Sequence, residues 1–228
     1  MTFNHKIRMK IATWNLERLD KRKTKEILDI LIKLNADIIV LTETNDAIQI
    51  DNYNCIATSP LPRFYDNIQY KDGENRVSIL TKFNVIKQHE TFDNFTSVCA
   101  DILTPFGSLT VYGSIIGVFA NKQPRFDNDL NGQIADIENL ARDRDFCMAG
   151  DFNVTFSGRP WPSKKARQLL NETFEKLGLT NTTQNITDTV DHIVLSKSLI
   201  ETKHLQIETW NNDKKLSDHV GHCVTMTK

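Results

Sequence analysis

The sequence predicts an α/β fold in which two packed β-sheets are flanked by helices. Two observations on the order of elements indicate this fold: predicted strands outnumber predicted helices, and some strands follow one another directly while others alternate with helices. A third is the nearly continuous apolar run DIIVLTET (37–44), which is typical of a strand covered on both faces. With 228 residues, 39% hydrophobic and 25% charged, the chain fits a single domain, residues 1–228.

The spacing of apolar residues defines the individual elements in chain order. Short apolar runs predict strands at 11–16, 37–44, 76–82, 145–151, 191–197, 201–210 and 219–226. Residues 96–116 predict a β-hairpin with its turn at 105–108. Apolar residues at helical spacing predict helices at 25–35, 126–142 and 164–178, the last ended by Gly178.

The composition of the chain limits the classes of function that it can have. The chain has 28 Lys and Arg against 29 Asp and Glu, so any nucleic-acid binding depends on a local basic patch. No apolar run approaches the ~20 residues that span a bilayer, and the first residues lack the apolar core of a secretory signal. The four cysteines are far apart in sequence, which predicts reduced core thiols in a cytoplasmic protein: Cys55, Cys99, Cys147 and Cys223.

Polar side chains recur where predicted strands meet loops. Five motifs share this placement: WNLE with Asn15 and Glu17, LTET with Glu43, GDFN with Asp151 and Asn153, VDH with Asp191 and His192, and SDH with Asp218 and His219. Loops at one end of a rigid scaffold are where sites are usually built. Carboxylates at buried strand ends are costly unless something compensates their charge, and a hard divalent cation with oxygen ligands does so.

These five motifs, in this order, resemble the endonuclease/exonuclease/phosphatase superfamily. It includes exonuclease III, AP endonucleases, pancreatic deoxyribonuclease, sphingomyelinases and inositol-polyphosphate phosphatases. The motifs extend from Asn15 to His219, nearly the whole chain. The resemblance implies a four-layer α-β-β-α sandwich, a Mg²⁺ or Mn²⁺ ion and cleavage of a phosphoester.

The resemblance also implies a role for each motif residue. Glu43 is the principal metal ligand, and three further residues lie at the metal: Asn15, Glu17 and Asp218. Asp151 orients or deprotonates the attacking water, and Asn153 donates a hydrogen bond to a phosphoryl oxygen. His219 is closest to the reacting phosphate with its ring held by Asp191, and His192 flanks the phosphate. Such a set meets the needs of in-line attack on phosphorus, namely an activated water and neutralised oxygens.

The chain departs from the named enzymes at one position of the pattern. Members of the superfamily place a second histidine or a tyrosine after the hairpin strand. The segment VYGSIIGVFANK (111–122) has no histidine, and its Tyr112 lies inside the strand. The group that assists the leaving oxygen is therefore not identified. The segment from SGRPW onward resembles uncharacterised bacterial members and indicates no particular substrate.

Three residues outside the motifs are candidates for substrate binding. Arg159 follows the GDFN loop, Trp161 between two prolines could stack on a base, and Arg76 begins a strand near the site. Two basic runs also follow catalytic strands: the first basic cluster is Arg18, Lys21, Arg22, Lys23 and Lys25, and the second basic cluster is Arg159, Lys164, Lys165 and Arg167. Each could hold flanking phosphates, but such runs are just as often solvated helix starts.

The sequence therefore predicts a cytoplasmic, metal-dependent phosphodiesterase, with a nuclease acting on DNA or RNA as the first interpretation. A phosphatase or phosphodiesterase for a small molecule or a lipid head group is an alternative that suits the near-neutral net charge. A catalytically silent phosphate-binding module is a second alternative, which would need an incomplete metal site. A long basic groove would favour a polymer, and a closed basic pocket would favour a small ligand.

Overall fold

The computed structural model describes residues 7–65, 67–117 and 123–228. The strands are β1 Arg8–Asn15, β2 Ile38–Asn45, β3 Asn54–Ala57, β4 Phe64–Tyr65, β5 Ile68–Gln69, β6 Glu74–Thr81, β7 Asn84–His89, β8 Ser97–Thr104, β9 Gly107–Ile115, β10 Phe146–Asp151, β11 Leu179–Asn181, β12 Asp191–Ser196, β13 His204–Trp210 and β14 Gly221–Thr227. The helices are α1 Thr24–Leu34, α2 Arg125–Leu140, α3 Lys164–Lys176 and α4 Lys197–Ile200, and a 3₁₀ turn, Lys21–Lys23, precedes α1.

Two six-stranded sheets form the framework, and the short hairpin β4–β5 stands apart from both. The first sheet has the order β13-β14-β1-β2-β6-β3, and the second has the order β11-β12-β10-β9-β8-β7. Each sheet has one parallel pair at its centre, β1 with β2 and β10 with β9. The carboxyl ends of β1, β2 and β10 and the starts of the antiparallel strands β12 and β14 bring the five polar motifs to the same edge of the molecule.

Three apolar clusters define the layers. The largest lies between the sheets and includes Ile11 and Val40 from the first sheet and Ala149 and Ile193 from the second. A second cluster packs α2 and α3 on the outer face of the second sheet, and a third packs α1 on the outer face of the first. This arrangement confirms the predicted four-layer α-β-β-α sandwich.

The structure differs from the predicted elements mainly at sheet edges. Strand β7 is largely exposed and therefore lacks the apolar pattern on which the prediction depended. The hairpin turn is tighter than predicted, because Thr104 pairs directly with Gly107. The last predicted residue of the strand at 191–197, Lys197, instead begins α4.

The cysteine prediction holds for three of the four thiols. All four cysteines are free; Cys99, Cys147 and Cys223 are buried, whereas Cys55 on β3 is exposed and was wrongly placed in the core. Among the described residues, no helix is long and apolar enough to cross a membrane. Residues 118–122, the end of the segment searched for a second histidine, and residues 1–6, where a signal would begin, lie outside the described ranges.

Candidate active site

The alternation of side chains along β1, β10 and β12 places three polar groups at the seam between the sheets. In a strand, every second residue faces the same way. Asn15 continues the row of Met9 and Ile11 toward the inter-sheet core, and Asp151 continues the row of Cys147 and Ala149. Asp191 precedes Ile193 in the corresponding row of β12. The inter-sheet core therefore ends in a layer of buried polar side chains.

Asn15 joins the two sheets through its side-chain amide. Its Nδ2 donates to Asp151 Oδ2 at 3.0 Å and to Glu43 Oε1 at 3.3 Å, while its Oδ1 accepts from the backbone N–H of Glu17 at 2.8 Å. The amide nitrogen of Asn15 therefore faces both carboxylates and holds the two acids in place. Its predicted place at the metal stays a prediction.

Glu43 reaches the cleft because the backbone of β2 departs from regular strand geometry. By simple alternation, Glu43 would share the outer face of Ile39 and Leu41, which pack with α1. Its φ of 46° is in the left-handed region, which is uncommon for a residue other than glycine. The side chain instead contacts Asn15 and lines the cleft. Such local strain is often found at functional sites.

The GDFN motif needs its glycine for close backbone packing. Gly150 has a φ of 137°, and a Cβ at this position would lie 2.0 Å from the backbone oxygen of Ser114. The next residues complete the turn: Asp151 Oδ1 accepts from the backbone N–H of Asn153 at 2.8 Å, and Asn153 Nδ2 donates to the Ile116 carbonyl at 2.9 Å. The second hydrogen of the Asn153 amide remains for another acceptor.

Asp191 and His219 form a close pair beside Asp151. The distance from His219 Nδ1 to Asp191 Oδ2 is 2.5 Å, and Asp191 is 1% exposed. Burial alone would lower the pKa of His219, but the charge and hydrogen bond of Asp191 outweigh it and raise that pKa to about 10. His219 is therefore an imidazolium at neutral pH, with hydrogens on both ring nitrogens.

A network of backbone contacts fixes the loop that carries His219. Ser217 Oγ donates to the Asn15 carbonyl at 2.7 Å and accepts from the His219 N–H at 3.1 Å. The His219 carbonyl accepts from Trp14 Nε1 at 3.1 Å and from Asn211 Nδ2 at 2.7 Å. The buried Trp14 thus also orients the loop that carries His219.

The donor set at the seam fits a hard divalent cation. Burial raises the pKa of Glu43, and burial together with the charge of Asp191 raises the pKa of Asp151 to about 7. Bringing two such acids together is unfavourable, and a cation would offset the repulsion. Oxygen atoms of Asp151 and Asp191 and a ring nitrogen of His219 lie within 4.8 Å of one another. Carboxylate oxygens are the ligands that a hard divalent cation prefers.

Two predicted metal ligands lie at the open side of the cleft. Glu17 and Asp218 are both exposed and line the cleft together with Glu43. Glu17 Oε2 accepts from the Asp218 N–H at 3.2 Å, and Asp218 Oδ1 lies 3.6 Å from His219 Nε2. Both carboxylates can therefore approach an ion held at the seam, directly or through water.

The opposite wall of the cleft was not predicted as a unit. Arg18 donates from Nε and Nη2 to the two oxygens of the buried Glu74 at 2.9 and 3.0 Å. The Tyr70 ring lies between two guanidinium groups, 5.0 Å from that of Arg18 and 5.5 Å from that of Arg76. Arg76 is 4% exposed and lines the cleft, as its sequence position indicated. The sequence signal for this wall was the segment GENR, in which an acid, Glu74, lies two residues before Arg76.

His192 does not flank the cleft, which corrects its predicted role. It is fully buried on the outer face of β12, where its Nε2 lies 3.0 Å from the Val154 carbonyl and its Nδ1 lies 3.0 Å from Thr183 Oγ1. Its ring packs against Phe152 and Phe156. Burial lowers the pKa of His192 to about 3, so the ring is neutral. Because successive residues of a strand face opposite sides, the strand DHIVLS already indicated that His192 and Asp191 lie on opposite faces of the sheet.

Arg159 and Trp161 lie in the loop after β10 and are absent from the residues described as lining the cleft. Both are exposed, and Trp161 retains 44% of its surface. The loop is held from within, since Thr155 Oγ1 donates to the Arg159 carbonyl at 2.8 Å and accepts from the Trp161 N–H at 2.9 Å. Their predicted contact with substrate stays a prediction.

Solved structures share this fold at low sequence identity. The endonuclease domain of TRAS1, a telomere-specific non-LTR retrotransposon, superposes with a TM-score of 0.70 at 17% identity, covering 96% of this chain and 98% of that chain. The 3′-5′ exonuclease NExo from Neisseria meningitidis gives 0.68 at 16%, covering 95% and 98%. A variant of the 3′ phosphatase NExo from Neisseria, bound to product DNA hairpin, gives 0.67 at 15%, with the same coverage. No curated protein sequence matches the chain.

The sequence places the chain among phosphoric ester hydrolases, and the cluster of carboxylates at the sheet seam fits the divalent metal that such enzymes use. Its sequence matches the model described as Endonuclease/Exonuclease/phosphatase family over residues 12–219. The chain therefore belongs to that family, as the five motifs indicated.

Proposed function

We propose that the protein is a Mg²⁺- or Mn²⁺-dependent phosphodiesterase and, more narrowly, a nuclease. The observation that carries the proposal is the bridge made by Asn15, which holds Glu43 of one sheet and Asp151 of the other beside the Asp191–His219 pair. This arrangement combines a site for a cation, a proton acceptor and a fixed positive charge in one cleft.

The metal site in this proposal consists of carboxylates. Glu43 would be the principal ligand, and Glu17 and Asp218 would hold the ion directly or through its waters. A bound divalent cation supplies positive charge to the phosphate oxygens and to the attacking water. Mg²⁺ suits such an oxygen-only set, and Mn²⁺ accepts the same ligands.

The chain's own residues provide the remaining chemistry. Asp151, with a pKa of about 7, accepts a proton from water as the water oxygen bonds to phosphorus and the opposite ester P–O bond breaks, and the leaving oxygen takes its proton from solvent. The imidazolium of His219 stabilises negative charge on the phosphoryl oxygens, and Asp191 keeps that ring charged and oriented. The second amide hydrogen of Asn153 donates to the same oxygens.

Nucleic acid is the proposed substrate because three cationic side chains, those of Arg18, Arg76 and Lys71, line the cleft beside its carboxylates. Arg18 and Arg76 face the carboxylate floor across a cavity of about 530 Å³. The similar structures named above include an endonuclease domain and a phosphatase bound to a DNA product. We also infer that residues 1–228 act as one domain and that the protein is cytoplasmic.

A second candidate function is hydrolysis of a small phosphoester. The observation that favours it is the hairpin β4–β5, whose Ile68, followed closely by Tyr70, helps to wall the cleft on one side. A wall of this kind would enclose a compact ligand, although the cleft remains open along its other side toward Glu17 and Lys71.

The first experiment measures hydrolysis of bis-p-nitrophenyl phosphate, single-stranded, double-stranded and abasic DNA, and RNA by the purified protein. Each reaction is run with Mg²⁺, with Mn²⁺ and with EDTA. We expect metal-dependent cleavage of a nucleic acid. Cleavage of the small ester alone would replace the nuclease with the second candidate function. No metal-dependent turnover of any substrate would contradict the phosphodiesterase.

The Glu43→Ala variant tests the metal site. We expect hydrolysis to fall by about 10³-fold or more while the fold is retained, because the main anionic ligand is removed. Glu201→Gln, at an exposed position after α4, is the matched control and should keep wild-type activity. Isothermal titration with Mn²⁺ should show the loss of binding in Glu43→Ala alone. Full activity and unchanged Mn²⁺ binding in that variant would contradict the assignment.

A further inference from the structure

A second, smaller cavity continues the catalytic cleft. It has a volume of about 330 Å³, and it shares two lining residues, Glu17 and Lys71, with the catalytic cleft of about 530 Å³. Beyond these two, its wall includes Arg22 and Lys23 of the first basic cluster. The two cavities thus form one elongated depression that begins at the carboxylate floor and ends at the start of α1.

Lys71 lies at the junction of the two cavities and is held by its surroundings. Its backbone N–H donates to Glu74 Oε2, and its Nζ donates to the Arg18 carbonyl at 3.2 Å. The ammonium group is exposed and has three hydrogens, so donors remain for an anion in the depression. The position of this lysine is fixed by the same Arg18–Glu74 pair that builds the cleft wall.

The charges of the second cavity leave two lysines for a ligand. Arg22 and Asp20 neutralise each other, with Nε 3.1 Å from both carboxylate oxygens and Nη2 2.7 Å from Oδ2. Glu17 points toward the metal side, where it accepts from the Asp218 N–H. Lys23 and Lys71 therefore supply the positive field at the far end of the depression.

The second basic cluster is arranged differently. Arg167 uses its guanidinium to hold its own loop, with Nη2 2.8 Å from Thr155 Oγ1 and Nη1 3.2 Å from the Gly158 carbonyl. Arg159 lies outside the residues described as lining the catalytic cleft. Of the two clusters, only the first shares a cavity wall with the site.

We propose that the second cavity is a binding subsite for the phosphates that follow the cleaved one along a nucleic-acid strand, with Lys71 and Lys23 as its contacts. The subsite rests on the proposed nuclease function and deepens it. An elongated depression with one reactive end and cations further along matches a polymer that repeats its phosphate, whereas a compact phosphoester would occupy the reactive end alone. Substrate then extends from the metal site toward the start of α1.

The test compares substrates of different length. Bis-p-nitrophenyl phosphate and a thymidine dinucleotide occupy only the reactive end, and a longer thymidine oligonucleotide also enters the second cavity. We expect kcat/KM of the wild-type protein to rise from the dinucleotide to the oligonucleotide. In Lys71→Gln and Lys23→Gln this rise should shrink roughly 3- to 10-fold, mainly through KM, since a phosphate contact adds binding energy without chemistry. Hydrolysis of the two short substrates should be unchanged in Lys23→Gln, whose lysine lines the second cavity and is absent from the catalytic cleft.

Salt dependence separates a phosphate contact from a structural effect. Each lysine removed should lower the slope of log KM against log salt by about 0.7 for a single strand. Lys71→Arg should restore the wild-type slope, because it keeps the charge. Lys25→Gln, an exposed lysine of the same cluster outside the cavity wall, is the matched control and should leave the slope unchanged.

The outcomes distinguish this inference from the function on which it rests. An unchanged length dependence and salt slope in both glutamine variants, with nuclease activity intact, would overturn the subsite alone. Loss of bis-p-nitrophenyl phosphate hydrolysis in Lys23→Gln would also overturn it, because that lysine would then act on the reactive end. Absence of nucleic-acid cleavage by the wild-type protein would overturn the nuclease and the subsite with it.

Discussion

The chain contains two Asp-His dipeptides whose histidine side chains lie in different surroundings. In the first, Asp191 faces the seam between the sheets, and His192 is buried on the far side of β12. In the second, His219 lies in a loop and points back to Asp191 at 2.5 Å. The Asp191–His219 pair of the candidate site is thus assembled from the aspartate of one dipeptide and the histidine of the other.

The difference shows that surroundings decide the protonation of a histidine more than its neighbours in sequence do. His219 shares a polar cleft with carboxylates, which raise its pKa to about 10 against the effect of burial. His192 has aromatic rings and a backbone carbonyl around it, and burial lowers its pKa to about 3. At neutral pH the surroundings thus favour the charged form of the His219 ring and the neutral form of the His192 ring.

The largest expected effect comes from removing the charged ring. In His219→Ala, kcat for phosphodiester hydrolysis should fall by at least about 10³-fold, because the positive charge at the phosphate is lost. The fold should persist, as judged by circular dichroism and a cooperative melting transition. His204→Ala, an exposed histidine on β13, is the control. Wild-type turnover in folded His219→Ala would contradict the role given to this ring.

Asp191→Asn should have a smaller but still large effect. Replacing the carboxylate should lower kcat by about 10²- to 10³-fold, because His219 loses the partner that keeps it charged and oriented. The pKa of His219 should fall from about 10 toward its ordinary value, which NMR titration of the ring would measure. An unchanged His219 titration in this variant would show that other carboxylates hold the proton.

Replacing His192 should lower the stability of the protein and leave the rate of hydrolysis unchanged. In His192→Ala, we expect a loss of roughly 3 kcal/mol in the free energy of unfolding, from the cavity and the unpaired Val154 carbonyl. The kcat of the folded protein should stay within about twofold of wild type, since the catalytic dyad is untouched. A drop in kcat comparable with that of His219→Ala would restore the role predicted from the sequence.

The pH dependence of stability should follow the sign of the His192 shift. Its folded pKa of about 3 lies below the ordinary value of about 6.5, so the unfolded chain takes up the proton first as pH falls. Its contribution is fully present above about pH 6.5 and is lost progressively toward pH 3. Urea unfolding at several pH values should show a smaller decline between pH 7 and pH 5 in His192→Ala than in wild type.

The smallest expected effect concerns the partner of the buried ring. Thr183→Val removes the hydroxyl that contacts His192 Nδ1 and Asn181 Oδ1. We expect a loss of about 1–2 kcal/mol in unfolding free energy and no change in kcat. A loss larger than that of His192→Ala would mean that Thr183 orders the surrounding loop through its other contacts.

Most of the fold was predictable because buried strands carry a strong apolar pattern. The strand at 37–44 and the helix at 25–35 agree with the structure to within a few residues. The exposed edge strand β7 and the short strands β4 and β5 lack that pattern, and nothing local distinguishes them from loops. Their pairing depends on partners that are distant in sequence.

The candidate site was predictable as a set of strand ends and less so in its detail. The motifs located Glu43, Asp151 and His219 at one cleft. They did not reveal that Glu43 reaches it through a positive φ, or that the amide of Asn15 points its nitrogen inward. Both depend on backbone geometry that residue types do not encode. The wall of Tyr70 and Arg18 was missed because its members are far apart in sequence.

The bridge through Asn15 makes the reactive geometry a property of the contact between the sheets. One acid belongs to the first sheet and the other to the second, so a slide of one sheet over the other changes the separation of the carboxylates. Gly113 lies in that contact, where a Cβ would meet Val77 at 2.8 Å. Heat or pressure that loosens the inter-sheet core should therefore abolish hydrolysis before either sheet unfolds. A more tightly packed inter-sheet core should extend the range of temperature and pressure over which the protein is active.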